Sequence, residues 1–157
     1  MATYHKAFMQ EAIELAEKSI ETGGGPFGAV IVRDGRIVAK AYNQVVLKCD
    51  PTAHAELLAI RTACDTLKTH KLENCTIYSS SEPCPMCLGA IYWAHIEQLY
   101  YGSSRLDVKR IGFDDQHIYD EFDLKDSQRE IHATQHMKDE AIKVLAKWKD
   151  KLDKIPY

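Results

Sequence analysis

The sequence has no apolar run approaching the roughly 20 residues that cross a bilayer. Its first residues do not show the basic-then-apolar layout of a secretory leader. Both absences point to a protein that stays in the cytoplasm. A basic excess is also missing: 20 Lys and Arg stand against 23 Asp and Glu, a formal charge of -3 with His neutral. Proteins dedicated to nucleic acid carry the opposite bias, so nucleic acid is not the expected partner. Cysteine is sparse and odd in number, five in 157 residues, which does not fit a disulfide framework. No internal repeat, low-complexity stretch or linker divides the chain, so one domain over residues 1–157 is expected.

What is present is ordinary in amount and informative in order. The hydrophobic share is 45% and the charged share 27%, the balance of a soluble globular protein. Residues 4–21 place Phe8, Ala12, Leu15, Ala16 and Ile20 at helical spacing, and Gly23-Gly24-Gly25 ends that helix. Two apolar runs, 29–32 and 37–39, flank Asp34-Gly35 and predict a β-hairpin. A second helix is expected over 50–67, with Asp50 as N-cap and Pro51 at the first helical position. A buried strand is expected at 75–79 and a third helix at 84–95, opened by Pro85. A strand at 99–101 follows, then a polar, irregular stretch from 103 to 128. A last strand is expected at 129–135. A final helix over 138–153 carries Ala141, Leu145, Trp148 and Leu152 on one face. A hairpin followed by alternating helices and strands implies a mixed sheet covered on both faces, an α/β class fold.

The chemistry sits in two short segments, Pro51-Thr52-Ala53-His54-Ala55-Glu56 and Pro83-Cys84-Pro85-Met86-Cys87. Two thiolates and one imidazole suit zinc. Three protein ligands, His54, Cys84 and Cys87, leave a fourth position for water, the mark of a catalytic rather than a structural zinc. Cys84 and Cys87 are three apart and share one side of a helix start, where the helix dipole favours thiolate. His54 and Glu56 are two apart, about 200° around a helix, so they do not share a face. Both reach one metal only if the helix points its N-terminus at it. Taken alone, Cys-x-x-Cys is also compatible with a redox pair, or with a four-ligand structural zinc completed by His95, His132 or His136. The conjunction of His-x-Glu with Pro-Cys-x-x-Cys is much more specific, and matches the signature of zinc nucleobase deaminases. In that chemistry a carboxylate beside the metal, but not bound to it, takes a proton from water and passes it to the ring nitrogen and the departing ammonia. Glu56 holds that position. Glu82 is read as a supporting or capping residue. Cys49, Cys64 and Cys75 are read as small hydrophobes.

At these residues the chain resembles the cytidine deaminase-like superfamily, over about Gly25 to Phe113. Asp-Pro-Thr-Ala-His-Ala-Glu and Glu-Pro-Cys-Pro-Met-Cys-x-Gly-Ala-Ile look like the branch holding guanine, guanosine and tRNA adenosine deaminases. The resemblance implies a three-layer α/β/α architecture with a five-stranded mixed sheet, one zinc per subunit, and a homodimer. Three features resemble bacterial guanine deaminases: Ile91-Tyr92-Trp93-Ala94 after the zinc motif, Ile111-Gly112-Phe113-Asp114-Asp115, and the terminal Tyr157. In that group the C-terminal segment, here about 130–157, is exchanged between subunits and its last aromatic closes the partner's site.

The resemblance therefore implies hydrolysis of guanine, a small purine, to xanthine and ammonia. Phe27 and Trp93 would border the flat base. Asn43 would offer a donor and an acceptor, and the backbone N–H of Ala55 would bind beside the metal. Asp114 and Asp115 would accept from the amine and ring N–H of guanine. The residue types also allow blander roles. Phe27 and Trp93 serve equally as core aromatics, Asp114 and Asp115 as helix caps or turn residues, and Asn43 as a strand-end cap. Guanosine deamination is the alternative that the motifs hardly separate from guanine. Cytosine-type deamination fits the motifs less well, and tRNA adenosine deamination would need a basic track that a charge of -3 does not suggest. A zinc-stabilised binding module without turnover would have no need of Glu56.

Overall fold

The computed structural model describes residues 3–156. Its chain falls into two compact units, the first ending at Ile118 and the second beginning at Tyr119.

The first unit opens with α1 (Lys6–Glu21), then a hairpin of β1 (Gly28–Arg33) and β2 (Arg36–Tyr42). Asp34 and Gly35 both take positive φ, 50° and 71°, the pair that a type I′ turn requires between right-twisted strands. A short α2 (Val45–Lys48) precedes α3 (Ala55–Leu67), β3 (Cys75–Ser81), α4 (Pro85–Trp93), β4 (Gln98–Ser103) and α5 (Arg105–Arg110). The sheet order is β2-β1-β3-β4, with β1 antiparallel to both neighbours and β3 parallel to β4.

Alternation along β1 and β3 separates two cores. Ala29, Ile31, Cys75 and Ile77 face α3 and α4, packing with Ala59, Ala63 and Ile91. Val30, Val32 and Tyr78 face the other way, onto Met9, Ala12 and Leu15 of α1. The unit is thus helix on sheet on helix. The helix α1 lies close against β1: a Cβ at Gly28 would stand 2.2 Å from the Ala12 carbonyl oxygen, so only glycine fits there.

α6 (Asp115–Asp123) continues the chain toward the second unit, which holds a single 3-10 turn (Asp126–Gln128) and α7 (Lys138–Asp150). No described residue of this unit is buried. Ile131, Leu145, Trp148 and Leu152 all stand exposed.

Two expectations are corrected. The sheet has four strands among the described residues, not five: residues 129–135 form no ladder. There the Arg129 guanidinium folds back onto the carbonyls of Glu121 and Phe122, at 3.0 and 3.2 Å, and the Glu130 N–H donates to the Glu121 carboxylate. The second helix begins at Ala55, not after Asp50. The Asp50 carboxylate instead accepts from the backbone N–H and hydroxyl of Thr52, at 2.8 and 2.7 Å, closing an Asx turn before the helix. These two bonds hold the Asp50 carboxyl below its ordinary range.

Candidate active site

Two helix N-termini meet at the site. His54 is the N-cap of α3 and Cys84 the N-cap of α4, both with extended backbone (φ -69°, ψ 152° and φ -66°, ψ 168°). Neither side chain caps its own helix, so both project beyond the helix end. Pro85 at the first position of α4 sets the helical φ and has no N–H to satisfy. Cys87 comes round one turn later, beside Cys84. The corrected start of α3 makes the end-on geometry more direct than expected. His54 sits at the mouth of the helix and Glu56 in its first turn.

The His54 Nδ1 lies 3.6 Å from Cys84 Sγ and 3.5 Å from Cys87 Sγ, and the three ligand atoms fall within 4.8 Å of one another. A tetrahedral zinc with Zn–S of about 2.3 Å and Zn–N of about 2.0–2.1 Å separates S from N by about 3.6 Å. The donor set and its spacing fit that ion. His95 does not join the group.

Cys84 is lowered to about 4, first by the hydrogen bond from Cys87 and then by His54, while Cys87 is raised by the same bond and by burial. His54 is raised, chiefly by its bond to Cys84.

Glu56 is buried, and burial raises its carboxyl against the lowering effect of hydrogen bonds. Its Oε1 accepts from the Ser79 hydroxyl at 3.0 Å, and its Oε2 lies 3.5 Å from Cys87 Sγ. A carboxylate therefore stands beside the three ligand atoms without belonging to the set.

These groups open into a cleft of about 180 Å³ lined by Gly25, Phe27, Asn43, His54, Glu56 and Asp115, among others. Phe113 stands edge-on to Phe27, with ring centroids 5.1 Å apart and planes at 84°. Asn43 is buried, and its side-chain oxygen accepts from the Val45 N–H at 3.2 Å, which orients the amide at the cleft. Asp115 is partly buried, and burial and then the Cys84 charge raise its carboxyl. Ala55 is fully buried at the first position of α3, where a backbone N–H has no partner within the helix.

Asp114 and Trp93 lie apart from that lining. Asp114 is exposed, pairs with Lys109 Nζ at 3.2 Å and caps the His117 N–H at 3.3 Å. The Lys109 contact holds its carboxyl low. Trp93 ends α4 with two thirds of its surface exposed. Tyr157 lies outside the described residues. Glu82 lines the cleft and supports it: one oxygen accepts from the Arg105 N–H at 3.0 Å, at the start of α5, and the other pairs with the Arg105 guanidinium at 2.8 Å.

Three further groups shape the site beyond the residues expected from the sequence. Phe113 was visible in its motif, two residues before Asp115. Val45 and Val46 follow Asn43 as an apolar pair and line the cleft. Ser79 follows Cys75 and Ile77 on one face of β3, and only the register makes its approach to Glu56 evident.

Comparison with known proteins agrees with this geometry. Residues 2–103 match the family described as cytidine and deoxycytidylate deaminase zinc-binding region. The chain is 44% identical over 154 residues to the guanine deaminase of Bacillus subtilis, covering 98% of this chain and 99% of that one. It is 45% identical over 105 residues to a tRNA-specific adenosine deaminase of Aquifex aeolicus, covering 67% and 68%. Among solved structures, the Bacillus subtilis guanine deaminase superposes with a TM-score of 0.94 at 44% identity over 99% of each chain. A guanine deaminase from Nitrosomonas europaea superposes at 0.69 with 34% identity, over 73% of this chain and 67% of that one. This chain belongs to the cytidine and deoxycytidylate deaminase family of zinc-binding enzymes.

Proposed function

We propose that this protein hydrolyses guanine to xanthine and ammonia. The observation that carries the reading is the placement of Asp115 in the cleft that also holds the His54, Cys84, Cys87 group and Glu56. The near full-length similarity to a guanine deaminase supports it. Guanine presents an amine and a ring N–H side by side, and one carboxylate accepts from both. Adenine presents a different edge.

His54, Cys84 and Cys87 would hold the zinc, whose chemistry when bound would be to activate a water for attack at the carbon bearing the amine. Phe27, braced by Phe113, offers a flat apolar wall to the purine. The Asn43 amide fixes the ring edge, and Asp115 accepts from the amine side. Between the two acceptors expected from the sequence, Asp115 is the one proposed here, because Asp114 is engaged by Lys109. Glu56 takes one proton from the water and delivers it to the ring nitrogen, then takes the second from the hydroxyl now on the carbon and passes it to the amine, which leaves as ammonia while the carbonyl forms. The Ala55 N–H, at the positive end of α3, is the proposed donor to a substrate atom beside the metal.

The same reading gives the second unit a role. Ile131, Leu145, Trp148 and Leu152 expose a large apolar surface, and its described residues build no core of their own. We propose that the segment from about 130 is exchanged with a second copy of the chain, and that Tyr157 closes the partner's cleft.

Ammonia release tests the substrate assignment directly, measured over guanine, guanosine, adenine and cytosine with the purified, zinc-loaded protein. Turnover of guanine well above the others is expected. Release from guanosine but not from guanine would overturn the assignment in favour of the nucleoside.

A further inference from the structure

We propose that Ser79 is a positioning residue for the reaction: its hydroxyl holds Oε1 of Glu56, so that Oε2 is the oxygen that carries the proton. This rests on the reading of Glu56 as the proton carrier.

The strand β3 alternates strictly. Cys75 and Ile77 point into the core beneath α3, and Ser79 is the next residue on that face, 1% exposed. Packing alone would favour another apolar side chain there. The hydroxyl is accounted for by one contact: it donates to Glu56 Oε1 at 3.0 Å. A buried hydroxyl is tolerated when it has such a partner, and a carboxylate is a strong one.

The two partners differ in how firmly they are held. Ser79 lies opposite Ala29 of β1 and beside Tyr101 of β4, so ladders on both sides fix its backbone. Glu56 hangs from the first turn of α3 on a longer side chain, whose carboxylate turns about its last torsion with little resistance. Left alone, either oxygen could face the reacting atoms. The Ser79 bond removes that freedom by tying Oε1 to the sheet. Oε2 then lies on the side of the metal ligands, 3.5 Å from Cys87 Sγ. Proton transfer depends on such alignment, because a donor or acceptor must stand within hydrogen-bond reach of the proton it moves.

The test compares wild type, Ser79→Ala, Ser79→Thr and Glu56→Ala on the base that the wild type deaminates fastest, with zinc content measured for each. Ser79→Ala is expected to lose about tenfold in kcat, a fraction of what general acid–base catalysis supplies, at unchanged KM and full zinc. Ser79→Thr, which restores the hydroxyl, is expected to recover most of it. An alanine variant with wild-type kcat would overturn the proposal. So would one whose loss follows zinc or KM, or a threonine variant no faster than alanine. Glu56→Ala separates the two readings: if it still turns over, the assignment of Glu56 fails, whereas if it is dead while Ser79→Ala is fully active, only the role of Ser79 fails.

Discussion

At the residue scale, the proposed function rests the reaction on His54, Cys84, Cys87 and Glu56 and the choice of base on Asp115. Glu56→Ala removes the proton carrier and leaves the ligand set, so turnover should fall by about 10²- to 10⁴-fold while zinc stays bound, read by ammonia release and metal analysis. Asp115→Asn keeps the shape but replaces an acceptor pair by one donor and one acceptor. Its kcat/KM for guanine should fall by about 10- to 100-fold, since a site built to hydrogen-bond its ligand loses much when one partner is mismatched; an unchanged value would remove Asp115 from the substrate. His54, Glu56, Cys84 and Cys87 were legible in the sequence because their chemistry forces a spacing. The parts played by Phe113 and Ser79 were not. Nothing in the residue type or spacing of a phenylalanine or a serine says that it will brace another aromatic or hold a carboxylate. That information resides in the strand register and the path of the chain after α5.

At the element scale, helix starts do the assembling. The start of α4 was readable because Pro85 has one good place in a helix, its first turn. The start of α3 was misread by the same logic: Asp50-Pro51 imitates a cap and first position, but the Asp50 carboxylate closes a turn on Thr52 instead. Short polar side chains offer the backbone both options, and tertiary contacts decide. The fifth strand failed for a related reason. Residues 129–135 have strand-like alternation, but a strand exists only where a ladder partner is at hand. With both ligand-bearing helix ends meeting at one ion, chelation should abolish turnover and lower the melting temperature, and added zinc should restore both. At the opposite face, Gly28→Ala would push a methyl group into the Ala12 carbonyl and the Leu15 side chain. The α1-on-sheet packing should lose about 1–3 kcal/mol, measured by urea unfolding, with the zinc site still formed.

At the scale of the whole molecule, the two units differ in what holds them. The first has two apolar cores, one on each side of its sheet. The second exposes apolar side chains along α7 and beyond it, and none of its described residues is buried. A chain that buries nothing of its own gains little to offset the entropy of ordering it. Under the proposed exchange a second copy would supply a surface for it, which would make assembly and activity inseparable. Trp148→Asp should therefore shift the protein from dimer toward monomer by sedimentation and lower the specific activity with it. Deleting residues 153–157 makes a finer cut, because α7 ends at Asp150 and the exposed apolar residues up to Leu152 are all kept. If the terminal aromatic closes the partner's cleft, the truncated protein should remain dimeric and melt within a few degrees of wild type. Its kcat/KM for guanine should fall by about tenfold or more, as expected when a closing element no longer keeps water from the site. Unchanged kinetics in that dimer would leave Tyr157 with no part in the reaction.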